Sequence, residues 1–165
     1  TWTALTEASN GGCRGRAFYV LGGTVGTGHT FSIPGGGYLG VMAFSGVDSF
    51  EDENISATGT PGAMTPSENG ALLATAVQTF LDSGLTVSGG FTEKEYIDDL
   101  GEMAYLIQET AAEANPTWSN FTGDTTTIMV SFLPTPPPPP AGALGGSSPI
   151  KRTYRPAVFA PGLAR

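Results

Sequence analysis

Apolar and polar positions alternate along much of this chain with a period of two. That period marks a strand with one face turned to a core. Residues 2–7 (WTALTE) predict a half-buried strand, and Asn10-Gly11-Gly12 a turn after it. Residues 16–21 (RAFYVL) predict the next strand, bounded by Gly22-Gly23, and residues 28–33 (GHTFSI) a third, with Phe31 and Ile33 on one face. The turn Pro34-Gly35-Gly36-Gly37 leads into residues 38–47 (YLGVMAFSGV), the clearest central strand of the pattern. There Leu39, Val41 and Ala43 face one way, and Tyr38, Met42 and Phe44 the other.

Residues 48–70 are acidic, then rich in Gly, Thr and Pro, and read as a long surface loop with one short strand at Ile55–Thr58. Residues 71–80 (ALLATAVQTF) form another strong element, and Gly84 and Gly89-Gly90 frame a short strand at Leu85–Val87. Residues 93–114 carry two readings. Tyr96, Leu100, Met103 and Ile107 fit helical spacing behind an acidic start, which suits a helix. Gly101 interrupts that helix, and residues 103–110 (MAYLIQET) serve equally as a strand. Asn115-Pro116 ends either element. Residues 125–133 (TTTIMVSFL) predict a last strand, with Ile128, Val130 and Phe132 on one face.

Short strands separated by frequent turn signals, with no βαβ rhythm, predict a mainly β protein: an antiparallel β-sandwich, jelly-roll or immunoglobulin-like, over residues 1–134. Residues 135–148 read as a Pro/Gly/Ser linker. Pro136–Pro140 favour an extended polyproline rod, reaching about 15 Å at ~3.1 Å per residue. Residues 149–165 (PIKRTYRPAVFAPGLAR) mix cations with large apolar side chains, and their three prolines forbid a regular helix or a central strand.

Composition supports the strand reading. Charged residues are only 13% of the chain, while Gly numbers 24 and Pro 13, a balance suited to short strands and turns. Charge then divides the chain. All fifteen acids lie between Glu7 and Asp124, opposed there only by Arg14, Arg16 and Lys94, so residues 1–140 carry a net −12. The remainder carries Lys151, Arg152, Arg155 and Arg165 and no acid, a net +4. An acidic body repels phosphate, which argues against nucleic acid as the main partner. No apolar run approaches the length of a membrane span. Thr1 in place of Met is compatible with methionine removal, processing or a longer parent chain.

Catalytic chemistry finds little footing. His29 is the single histidine, in a Thr-rich strand, and no G-x-S-x-G elbow accompanies it. Cys13, the single cysteine, reads as a small apolar residue; beside it only Arg14 and Arg16 would lower a thiol pKa. Gly22–Gly28 lacks the lysine of a phosphate loop and reads as turn glycines. The acids Asp48, Glu51, Asp52 and Glu53 do not match an EF-hand spacing and read as a solvated loop. Glu93, Glu95, Asp98, Asp99 and Glu102 read as a solvated face. The sequons at Asn54 and Asn120 read as chance in a Thr- and Ser-rich chain. No catalytic residue, metal ligand or cofactor is expected.

The succession GRAFYVL, GHTFSIPGGGYLGVMAFSGVD, PSENGALLATAV and TTTIMVSFLP resembles the jelly-roll or immunoglobulin-like β-sandwich domains of bacteriophage virion proteins and bacterial surface proteins. The closing KRTYRPAVFAPGLAR is similar to C-terminal peptides of phage structural proteins. The family pattern places further strands ahead of its tryptophan, so the resemblance implies either a fragment of a longer chain or a sheet edge that another subunit covers. It implies a non-enzymatic virion component, such as a capsid decoration, fibre or tail accessory protein. Its partners would be other virion proteins or copies of itself, with host-surface glycans a further candidate and no membrane. Within the arm, Lys151, Arg152, Tyr154, Arg155, Val158, Phe159 and Leu163 are the expected partner-binding residues. The apolar ones would each gain roughly 1.5–3 kcal/mol on burial, and arginine grips carboxylates bidentately. A carbohydrate- or surface-binding module is the alternative, with Trp2, Tyr38 or Trp118 stacking on sugars.

Overall fold

The computed structural model describes residues 1–23, 26, 29–32, 39–95 and 100–137. Seven strands form among them, in two antiparallel sheets consistent with a β-sandwich, and no helix. Strands β1 (Thr3–Asn10) and β2 (Cys13–Tyr19) make a hairpin. Gly11, at φ 54°, takes the left-handed conformation its turn requires. The other strands are β3 (Val47–Ser56), β4 (Ala71–Val87), β5 (Thr92–Glu95), β6 (Gly101–Gln108) and β7 (Trp118–Pro134). They form one sheet in the order β3-β7-β4-β6-β5.

The two longest strands, β4 and β7, lie at the centre because their sequences suit burial on both faces. Thr125 to Phe132 of β7 is buried residue after residue, as expected of a strand covered above and below. On the upper face Leu72, Ile128, Val130 and Phe132 pack with Ala8, Ala17 and Tyr19 of the hairpin, which lies over β3, β7 and β4. Tyr19 stacks on Phe50 at 5.1 Å between ring centroids and meets Phe132 edge-on at 5.4 Å. On the lower face Leu73, Val77, Phe91, Trp118 and Met129 pack beneath the loops that carry Met64 and Ala114. Those loops are joined by paired Met64–Ala114 backbone bonds of 2.9 Å each.

Four expectations need correction. Residues 39–44, expected within the central strand, pair with nothing, and Leu39 and Val41 stay 45% and 47% exposed. Phe44 instead rests edge-on against Tyr105 of β6, at 5.1 Å. Apolar alternation records which side chains seek contact, and ladder pairing went to longer competitors. Residues 29–32 form no strand either; Gly28, Ile33 and Tyr38 lie outside the described residues. The acidic stretch expected to be a loop contains β3, an edge strand. Carboxylates along an edge discourage pairing with a foreign strand, so its charge suits its place. Finally, residues 71–80 and 85–87 are one strand, with register shifts between Thr79 and Leu81 and between Asp82 and Thr86.

Residues 93–114, open between helix and strand, form β5 and β6; Tyr96, Asp98 and Asp99 lie outside the described residues. Glu102 and Ala104 are buried on one side while Ile107 points out on the other, the period of a strand. Gly101 is what lets β6 approach β4: a Cβ there would lie 2.8 Å from the Val77 carbonyl oxygen.

Candidate functional site

The chain leaves the body at one end of the large sheet, which is built from three crossings. Val47 pairs with Pro134, and the Thr135 N–H donates to the Gly46 carbonyl at 2.8 Å. Gly70 lies against the Pro134 ring and donates to the Gln108 carbonyl at 2.6 Å. The Ala111 N–H donates to the Asn69 side chain at 2.7 Å. These links gather Asp48, Glu68 and Glu109 around the exit, all exposed. Among the described residues the cations sit elsewhere. Arg14 is paired opposite Ser9 near the hairpin turn, and Arg16 bridges Glu7 at 3.5 Å. Lys94 lies over the Tyr105 ring at 5.9 Å. The exit is therefore ringed by acids among the described residues, with Lys94 over the Tyr105 ring beside it.

Beside it lies an apolar strip. Ile107 is 57% exposed, two residues from Tyr105 and so on the same, upper face of β6. Phe44 against Tyr105 continues the strip toward Gly46. The strip is legible only from the fold, because residues 44 and 107 meet through the Phe44 ring contact with Tyr105, on a strand that local pattern left undecided. The expected arm residues Lys151, Arg152, Tyr154, Arg155, Val158, Phe159 and Leu163, like Pro138–Ser148, lie outside the described residues.

The remaining candidates resolve individually. The Cys13 thiol is buried and donates to the Asp124 carbonyl at 3.1 Å. Burial, and then the Asp124 charge, push its pKa up, the opposite of what a nucleophile needs. His29 is exposed, its ring tilted toward Phe31 at 6.4 Å. Trp118 is only 1% exposed, which removes it as a sugar platform. Trp2 is half exposed and meets Phe31 edge-on at 6.0 Å. Both sequon asparagines spend their amide nitrogens inside the fold, Asn54 on the Ala63 carbonyl at 2.8 Å and Asn120 on the Gly84 carbonyl at 3.0 Å. Among the described residues no group of three His, Cys, Asp or Glu side chains could hold a metal.

The acids of β3 divide by role, and only part of the cluster matches the solvated reading. The shift of register between Phe50 and Asp52 makes Glu51 a bulge residue. Its carboxylate accepts from the Ser67 N–H at 2.8 Å and from the fully buried Ser131 hydroxyl at 3.0 Å. Glu53 accepts from the Thr6 N–H at 3.0 Å and so ties β1 to β3. Similarly, Glu102 is buried and Glu93 accepts from the Val87 N–H at 2.8 Å, so neither belongs to a purely solvated face.

Partial burial works to raise the Glu51 pKa, but the hydrogen bonds from Ser67 and Ser131 outweigh it and hold the carboxyl below its ordinary 4.5. A depressed pKa adds stability that is present above 4.5 and is lost as pH falls through the folded-state value. Glu51→Gln should therefore cost about 1 kcal/mol near neutrality. The gap in urea midpoint between variant and wild type should close in acid. A gap that stays constant down to pH ~3, well below the free carboxyl range, would contradict this account.

No protein-family model, curated protein or solved structure matches the chain.

Proposed function

We propose that this chain is a non-enzymatic structural component of a virion. Its jelly-roll or immunoglobulin-like head is attached to neighbouring subunits through residues 149–165. The observation that carries this reading is the placement of charge. The body is acidic, its exit end most plainly so, and the segment that follows is cationic and rich in large apolar residues. A cationic segment joined to an acidic body suits docking between like subunits, because attraction guides encounter while apolar anchors hold. The resemblance of the segments GRAFYVL, PSENGALLATAV and TTTIMVSFLP, and of the closing peptide, to phage virion proteins supports the same assignment. The burial of Cys13 and the exposure of His29 give hydrolytic chemistry no support.

Deleting residues 149–165 is expected to lower the copies of this chain per purified particle more than tenfold. The thermal midpoint of the remaining body should not move, since the described residues of both apolar clusters all belong to the body. Truncated chain found in particles at the wild-type level would sink the proposal.

A second reading draws on Trp2, exposed beside Phe31 and so able to stack on a sugar ring. A glycan array separates the two. Binding that survives loss of the arm but not Trp2→Ala would favour a surface-binding module.

A further inference from the structure

Resting on that reading, we propose that the receptor for residues 149–165 is the exit-end strip of a second copy of this chain. The strip comprises Phe44, Tyr105 and Ile107, rimmed by Asp48, Glu68 and Glu109.

The upper face of the large sheet is only partly covered. The hairpin lies over β3, β7 and β4, while on β6 Tyr105 packs against the edge of the upper apolar cluster, with Phe44 and the Lys94 ammonium at its ring, and Ile107 stays in water. A strip of this kind asks for an apolar occupant. Its rim asks for a cationic one, since Asp48, Glu68 and Glu109 are exposed and form no ion pair among the described residues, Lys94 sitting instead over the Tyr105 ring. Residues 149–165 supply both: Ile150, Tyr154, Val158 and Phe159 against the strip, Lys151, Arg152 and Arg155 against the rim. No other stretch of the chain joins three cations to apolar anchors without an acid among them.

The chain's path sets the geometry. Described residues end at Pro137, just beyond the Thr135–Gly46 bond, so the described chain ends beside the strip of its own body. In every copy the receptor thus neighbours the last described residues before the arm. Docking the arm of one copy on the strip of the next is a heterologous contact. Such contacts close into rings or extend into rows, depending on the rotation between copies. That geometry suits a repetitive lattice.

Two full-length variants test this. One carries Ile107→Asp and keeps its arm. The other carries Tyr154→Ser and Phe159→Ser and keeps its strip. Equal thermal midpoints check that each is folded, and Ile107 is exposed enough to accept the change. In sedimentation velocity the wild type should self-associate, more weakly in high salt, and each variant alone should associate at least tenfold more weakly. Mixed in equal amounts they should form dimers and stop there, because only one arm and one strip remain competent. Wild-type association retained by the Ile107→Asp chain would place the receptor elsewhere. A mixture without dimers, or a wild type that stays monomeric, would show that the receptor is not a second copy of this chain. Either result could stand beside loss of the arm-deleted chain from particles. The tether would then survive and only its receptor would change.

Discussion

Trp118→Ala is expected to remove about 3–5 kcal/mol of stability, a large share of the ~5–15 kcal/mol typical of a domain. The indole is the largest fully buried side chain of the body. It fills the lower core beside Leu73, Val77 and Met129, so alanine would leave a cavity between the sheet and the loops that carry Met64 and Ala114. Its Nε1–H donates to the Thr75 hydroxyl at 3.2 Å, and that hydroxyl donates on to the Ile128 carbonyl at 2.9 Å. One substitution thus empties the core and strips a buried acceptor of its donor. Trp118→Phe keeps most of the volume and loses only the donor, and should cost about 1–2 kcal/mol. Urea unfolding followed by far-ultraviolet circular dichroism gives the ranking. Trp2→Ala, at an exposed position, should fall within about 0.5 kcal/mol of wild type. If Trp118→Ala proved as mild as Trp2→Ala, the lower core described here would be wrong.

Gly101→Ala is expected to cost roughly 1–3 kcal/mol, more than its single methyl group suggests. The new Cβ would stand 2.8 Å from the Val77 carbonyl oxygen. That oxygen belongs to the backbone of a central strand and cannot turn aside as a side chain can. The adjoining ladder includes the Thr79 N–H bond to the Leu100 carbonyl at 3.0 Å, so relief of the clash must push β6 away from β4. Amide exchange in β6 should quicken more than in β7. Gly23→Ala is the control, because among the described residues its Cβ would meet only the Val20 side chain, at an ordinary 3.5 Å. Equal melting of the two variants would mean that β6 is free to shift.

Local pattern located several elements well. The first hairpin and its Gly11-Gly12 turn, the run from Ala71 and the run ending near Leu133 were all readable, because each carries a period-two stripe between turn residues. It misplaced the strand near residue 40 for a physical reason. Residues 39–44 have strand composition, but β7 and β4 occupy the centre of the sheet, each offering seventeen residues to its neighbour. The acidic run failed in the opposite sense. Its carboxylates look like loop residues until β7 is seen to pair with one side, leaving charge to guard the other. Glu51 shows the finer limit: nothing near it in sequence signals Ser131, which pairing brings within 3.0 Å.

The linear order of residues was enough to establish a mainly β body, its turns, its net negative charge and the cationic segment behind it. Those properties depend on composition and on neighbours a few positions apart, and they survive any choice of strand partners. The acidic exit, the strip of Phe44, Tyr105 and Ile107, and the burial of Trp118 in the lower core follow instead from which strands lie side by side. Pairing brings residues dozens of positions apart within a hydrogen bond of each other, and no local pattern encodes that choice.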